Sequence, residues 1–287
     1  MKKIIYLVQF LIIKFLFIIF NIIGYKNASN FGALIGRTFG ELIRSKKIII
    51  KNLSYIKEFS KLEINEGQIV SEVFSNYGRI LAEYNYLYKF RQGKLNEYIN
   101  VQGKEYLDQL RRENKKAIFI SGHFNNFELM AMIIDMSGVN LAAIYRPLNN
   151  IYLNKTMEDI RVKHICKNQI KKGKSGTKEL ISFLKKNYSI ALMIDQRVSE
   201  GIKCNFFGRP AFTTTIPAQI LKKYDCEIVP VYIERYDKIK FNLTINKPIK
   251  FNNKLSDVDI TSQLNQILED MIVKNPAQWI LTHNRWK

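Results

Sequence analysis

From residue 114 onward the chain alternates short apolar runs with amphipathic stretches, and few folds accept that pattern. Residues 116–121, 140–145 and 189–194 are short apolar runs that read as buried strands. Between them, residues 127–136, 152–166 and 177–186 carry helical spacing. Residues 226–234 and 240–245 look like a later strand pair, and 260–273 like a closing helix that ends near Pro276. This order predicts an α/β fold with a largely parallel central sheet flanked by helices. The earlier part reads differently. Residues 27–113 are mainly helical, with one helix over 28–44 and another over 66–88, where Val70, Val73, Phe74, Tyr77 and Leu81 share a face. No repeat, low-complexity tract or long linker breaks the chain. The partition is a membrane-seeking helix over 1–25 and a single domain over 26–287, helical over 26–113 and α/β over 114–287.

The amino-terminal segment imposes a second constraint. Sixteen of the twenty residues from Ile4 to Ile23 are Leu, Ile, Val or Phe. Each contributes about −0.3 to −0.6 kcal/mol to membrane insertion near a helix centre, while Lys14 opposes it by roughly 2.5–3.5 kcal/mol. The sum favours a bilayer. Two geometries remain open: a tilted span with Lys14 snorkelling, or a deep interfacial helix. The run exceeds a signal-peptide core and no small-residue cleavage site follows it cleanly. An all-round apolar helix can also be a buried core element. Lys2 and Lys3 precede the run and Lys26 and Arg37 follow it, so charge asymmetry leaves orientation open.

Each predicted core strand ends on a residue with side-chain chemistry. The first delivers His123, with Glu128 about one turn into the next helix. The second delivers Arg146, and the third Asp195. In open α/β sheets the carboxyl ends of the strands line the binding crevice, so these distant residues are expected to converge. The spacing lets Glu128 accept a hydrogen bond from one His123 ring nitrogen, fixing the tautomer and balancing the charge that forms on proton abstraction. Each also has a plainer account. Arg146 can be a surface charge, Asp195 a turn cap, and Glu128 a carboxylate favoured by the helix dipole. His164 sits in a basic amphipathic stretch, and His283 lies between Trp279 and Trp286, where packing suffices.

Composition and missing motifs exclude much. Forty-five Lys and Arg against 25 Asp and Glu give a net charge of +20. That suits an anionic membrane, a phosphorylated substrate or an acidic protein, although a Lys-, Ile- and Asn-rich source genome would produce the same excess. The basic doublets are scattered and no nucleic-acid motif accompanies them, so no nucleic-acid partner is expected. Cys166, Cys204 and Cys226 form no C-x-x-C pair, which indicates neither a disulfide framework nor a structural zinc. No G-x-S-x-G elbow, H-E-x-x-H zinc motif, phosphate loop or dinucleotide fingerprint occurs, and no metal is expected.

Five motifs in order carry a resemblance: Gly122-His123-Phe124-Asn125-Asn126-Phe127-Glu128; Ile144-Tyr145-Arg146-Pro147-Leu148; Ile194-Asp195-Gln196; Phe206-Phe207-Gly208 with Thr213-Thr214; and Gln278-Trp279 through Arg285-Trp286-Lys287. Together they resemble the lysophospholipid acyltransferase superfamily, and within it the bacterial lipid A late acyltransferases, the lauroyl and myristoyl transferases. The match runs over nearly the whole chain. The resemblance implies transfer of a fatty acyl chain from acyl carrier protein to a hydroxyl of a lipid A precursor glycolipid, usually on an attached 3-hydroxyacyl chain. It implies no cofactor beyond the carrier-protein thioester, and a site on the inner membrane facing the cytoplasm. His123 and Glu128 take the family's catalytic pair. Arg146, Asp195 and Asn126 fall to substrate binding or transition-state support. Asn125 stands where the family commonly has Gly, and Phe127 where Trp is usual; Asn tolerates left-handed backbone better than most residues.

On this reading His123 is the general base of a direct transfer, since no Cys or Ser is placed as a nucleophile. Backbone N–H groups after His123, with Arg146, are candidates to hold the oxyanion. Other assignments use the same features: an acyltransferase for a lysophospholipid or an ornithine-type lipid, or a non-catalytic membrane-tethered lipid binder. Acyl chain length, coenzyme A as an alternative donor and oligomeric state have no linear signature.

Overall fold

The apolar runs form the middle of a seven-stranded sheet. The computed structural model describes residues 2–252 and 254–287, apart from the side chain of Lys174; Met1 of the segment 1–25 lies outside this range. Helices α1 (Lys2–Ile23), α2 (Tyr25–Ile43), α3 (Lys46–Ser60), α4 (Glu66–Glu83) and α5 (Leu87–Arg91) come first. Then follow β1 (Ile99–Gln102), α6 (Lys104–Arg112), β2 (Ala117–Ser121), α7 (Glu128–Met136), β3 (Leu141–Tyr145), α8 (Ile151–Ile160), β4 (Asn168–Lys171), α9 (Lys174–Lys185) and β5 (Ser189–Met193). The remainder is β6 (Ile202–Phe206), β7 (Arg209–Thr213), α10 (Ile216–Leu221), β8 (Glu227–Tyr236), β9 (Lys240–Ile245) and α11 (Asp257–Lys274).

The sheet order is β1-β9-β8-β2-β5-β3-β4, and β6 with β7 forms a separate hairpin. Every pairing in the large sheet is parallel except the β8–β9 hairpin. The α/β, largely parallel architecture expected from the pattern is therefore present. All five residues of β2 are buried, as expected for a central strand covered on both faces. Helix α7 packs on β3 and β8, and α9 on β4 and β5. Four strands carry too weak a pattern to read: β1 (INVQ) and β4 (NQIK) are short, polar edge strands, and β6 and β7 form a two-stranded ribbon.

The helical first third does more than extend from the sheet. Strand β1 pairs with β9, so residue 113 is not a structural boundary. Helices α2 and α4 cross at glycines. A Cβ on Gly36 would lie 2.0 Å from the Phe74 carbonyl oxygen, and one on Gly78 would lie 1.8 Å from that of Gly32. Beneath the crossing, Arg235 of β8 grips Glu83 of α4 through two hydrogen bonds, of 2.6 and 3.0 Å. Glu83 is fully buried, so the pair is expected to fix how α4 docks on the sheet. Only Phe17 and Phe20 of α1 are buried, which removes the core-helix alternative for that segment.

Candidate active site

Strands β2 and β5 are parallel neighbours in which Ser121 pairs with Met193. Two residues beyond each partner stand His123 and Asp195, and this register sets them side by side. Asp195 Oδ1 lies 2.8 Å from His123 Nδ1, while Oδ2 accepts the His123 backbone N–H at 2.8 Å. Oδ2 also accepts the indole N–H of Trp279 at 2.8 Å. Burial alone would raise the Asp195 pKa. The charge of the His123 ring, its two hydrogen bonds and the Trp279 N–H outweigh that and pull the carboxyl down to about 2. An ionised carboxylate on Nδ1 fixes the proton there and leaves Nε2 as the free acceptor of a neutral ring. The ring is part exposed, stands edge-on to Phe127 at 4.9 Å, and borders a small, open apolar cleft lined by Val73, Tyr77, Ile80, Phe127 and Ile280.

The expected His123–Glu128 hydrogen bond is not made. Buried Glu128 instead accepts from Arg161 Nε at 2.8 Å and Nη2 at 2.5 Å, and from the Tyr84 hydroxyl. Burial and the adjacent Glu128 charge hold Tyr84 far above the usual phenol range, so it remains a donor. Spacing along the chain misled here for a simple reason. Glu128 opens α7 while the His123 ring turns toward β5, where a carboxylate from another strand is closer. Arg161 had no linear signal beyond its place in a basic stretch; it opens a π-helical turn, Arg161–Ile165, at the end of α8.

Asn126 is buried and donates to Glu83 Oε2 at 3.1 Å. It ties the His123 loop to α4 rather than facing the cleft. Asn125 has φ +41°, a left-handed backbone that Asn tolerates better than most residues. Its N–H bonds the carbonyl of Gln278 at 3.0 Å, and Gln278 in turn brackets Arg235 with two 2.8 Å hydrogen bonds. Arg146 leaves β3, the neighbour of β5 on its far side, as an exposed side chain. Burial lowers the His283 pKa; Asp195 opposes that, while Arg285, His123 and Arg146 add to it. His164 lies elsewhere, 6.2 Å from the Tyr88 ring.

Sequence reasoning gave Trp279 only a packing role, and the structure adds a hydrogen bond. The terminal segment locks onto the β6–β7 hairpin: Trp286 Nε1 donates to the Phe206 carbonyl at 3.0 Å and Arg285 Nη2 to Thr213 Oγ1 at 2.6 Å. The last two of the five motifs are thus one packed cluster behind Asp195.

The whole chain, residues 1–287, matches the model of a family described as bacterial lipid A biosynthesis acyltransferase. It is 21% identical over 251 residues to the lipid A biosynthesis palmitoleoyltransferase of Escherichia coli (strain K12), covering 86% of this chain and 80% of that protein. It is 25% identical over 260 residues to the lipid A biosynthesis myristoyltransferase of the same strain, covering 87% and 78%. Among solved structures it is similar to the 1-acyl-sn-glycerophosphate acyltransferase PlsC of Thermotoga maritima, with TM-score 0.42 and 14% identity over 89% of this chain and 99% of that one.

Proposed function

Because the chain belongs to the bacterial lipid A biosynthesis acyltransferase family, we propose that it moves a fatty acyl chain from the thioester of acyl carrier protein to a hydroxyl of a lipid A precursor, with His123 as general base. The observation that carries this reading is the His123–Asp195 pair, 2.8 Å apart beside an apolar cleft. Asp195 takes the role assigned from sequence to Glu128.

With Nδ1–H committed to Asp195, Nε2 takes the proton of the acceptor hydroxyl as its oxygen attacks the thioester carbon. The carbon–sulfur bond then breaks, and the imidazolium returns the proton to the leaving thiolate, giving an ester and a thiol. Asp195 stabilises the imidazolium in between. General-base catalysis of this kind contributes roughly 10²–10⁴-fold. Backbone N–H groups at the start of α7, with Arg146 from the exit of β3, stabilise the oxyanion. Glu128 holds Arg161 in place and acts at one remove from the reacting atoms.

Direct transfer is favoured over an acyl-enzyme. The Ser121 hydroxyl is buried and bonded to the Gly122 carbonyl at 3.3 Å. All three cysteines are buried, and burial pushes the thiols of Cys166 and Cys226 up to about 12 and 11, far from the reactive thiolate. The +20 charge suits the acidic carrier protein, the phosphorylated saccharide and the anionic inner membrane, with the site facing the cytoplasm.

The test is incubation of membranes and purified protein with acyl carrier protein bearing a labelled fatty acid. Label on a phosphorylated disaccharide lipid, lost in His123→Ala, is the expected result. Label on a phospholipid, or full activity in His123→Ala, overturns the proposal.

A further inference from the structure

Helix α1 is fastened to the body near both of its ends. Close to its start, Asn150, which caps α8, donates to the Tyr6 carbonyl at 2.9 Å and to Gln9 Oε1 at 3.2 Å. Phe10 packs on Tyr152 at 5.9 Å. Close to its end, Phe17 and Phe20 are buried and the Tyr86 hydroxyl donates to the Phe20 carbonyl. Tyr6 and Phe20 are about 21 Å apart along the helix at 1.5 Å per residue. A span must carry one end about 30 Å through hydrocarbon, away from a body that stays on the other side. Two anchors on one body leave no such freedom.

The free face of α1 fits a different environment. At about 100° per residue, Ile4, Val8, Leu11, Phe15, Ile18 and Ile22 fall within one arc, and all six are exposed. No charge interrupts that arc. Lys3 and Lys14 sit together on its flank, between the exposed arc and the packed face. On α2 the exposed Phe31, Leu34 and Leu42 continue the apolar surface, joined to α1 by the edge contact of Phe20 with Phe31 at 6.1 Å. At the other end of α1, exposed Leu148 and Ile151 flank Asn150 and lead to Arg146.

We infer that α1 lies in the plane of one leaflet of an anionic bilayer, its uncharged arc among the acyl chains and Lys3 and Lys14 at the headgroups. A tilted span with Lys14 snorkelling from the hydrocarbon centre is thereby set aside. Apolar surface, basic flank and net charge of +20 together match such a leaflet better than another protein surface. The orientation brings acyl chains alongside α1 and up to the loop after β3, where Asn150 meets the helix. It concerns how the molecule sits on lipid, and it can fail or hold whatever the transfer assay gives.

The test labels single added cysteines, Lys3→Cys and Lys46→Cys, with a membrane-impermeant maleimide in cells expressing the full chain; the unsubstituted protein sets the background of its three buried thiols. Both positions are expected to label to the same extent in inside-out vesicles and neither in intact spheroplasts. Labelling of the two in opposite preparations means that α1 crosses, and overturns the inference. Lys14→Gln is expected to weaken binding to phosphatidylglycerol vesicles about fivefold; unchanged binding overturns the headgroup placement. A bimane on Leu11→Cys is expected to be quenched by brominated lipid. Shielding from lipid, with chains cross-linking in pairs, would give this face to a second copy and overturn the inference as well.

Discussion

The Trp279 indole and the His123 backbone donate to the same oxygen, Asp195 Oδ2, each at 2.8 Å. The other oxygen is thereby left for the imidazole. A residue that follows α11 thus sets the angle at which a mid-chain carboxylate meets the His123 ring. Trp279→Phe keeps the aromatic contact and removes the donor. Loss of one hydrogen bond to a charged group, worth about 1.5–3 kcal/mol, is expected to lower kcat about tenfold or more while KM for the acyl donor stays near its original value. Steady-state kinetics on variant protein with an unchanged circular dichroism spectrum checks this, and equal kcat would remove Trp279 from the positioning chain.

Asp195 and Glu128 should respond differently. Asp195→Asn removes the charge that fixes the His123 tautomer and is expected to cost roughly 10²–10⁴ in kcat with the fold retained, by analogy with other carboxylate–histidine pairs. Glu128→Gln leaves Arg161 buried without its counter-charge, which costs about 3–5 kcal/mol of stability. Urea unfolding and kcat, measured on both variants, separate the two. If Glu128→Gln lost activity with undiminished stability, Glu128 would act on the reaction itself.

Acid stability carries the Asp195 signature. A carboxyl with a folded pKa below its unfolded one stabilises the native state above the unfolded value, and that stabilisation is lost as pH falls through the folded value. For Asp195 the window runs from 3.8 down to about 2. At 1.36 kcal/mol per unit this is about 2 kcal/mol. Between pH 4 and pH 2 the unmodified protein should lose about that much more stability than Asp195→Asn does. Denaturant melts at both pH values read the difference. The same argument keeps Asp195 ionised through the neutral range, so an activity loss between pH 5 and 7 belongs to another group.

The helix crossing tolerates no side chain. Gly78→Ala would place a methyl 1.8 Å from the Gly32 carbonyl oxygen. Backbone must move to admit it, and overpacking of this kind costs about 1–3 kcal/mol and sometimes more. A lowered Tm in thermal unfolding is the expected result; an unchanged Tm would mean that α2 and α4 slide apart freely.

Much of the site was legible because it follows from period and position. Apolar runs of strand length, each closed by a polar residue, located His123, Arg146 and Asp195 at the exits of β2, β3 and β5. The resemblance supplied the order of the motifs and marked the terminal Gln278-Trp279 and Arg285-Trp286. The polar edge strands β1 and β4 were not legible, because their side chains bury too little on either face to leave a pattern. Arg161 and Tyr84 were equally silent, since an ion pair between α7 and the turn that follows α8 has no spacing along the chain to announce it.

By itself the sequence determined the layer architecture, the apolar amino-terminal helix and which residue types stand at the strand ends, all consequences of local periodicity. Only the tertiary structure decided which carboxylate serves His123. The chain passes from β2 to β3 and β4 before β5 returns to lie between β2 and β3, and the pairing of Ser121 with Met193 then sets Asp195 against the ring. Glu128, five residues away along the chain, is drawn instead to Arg161. Hydrogen bonds depend on separation in space, and strand order and register set that separation where spacing along the chain does not.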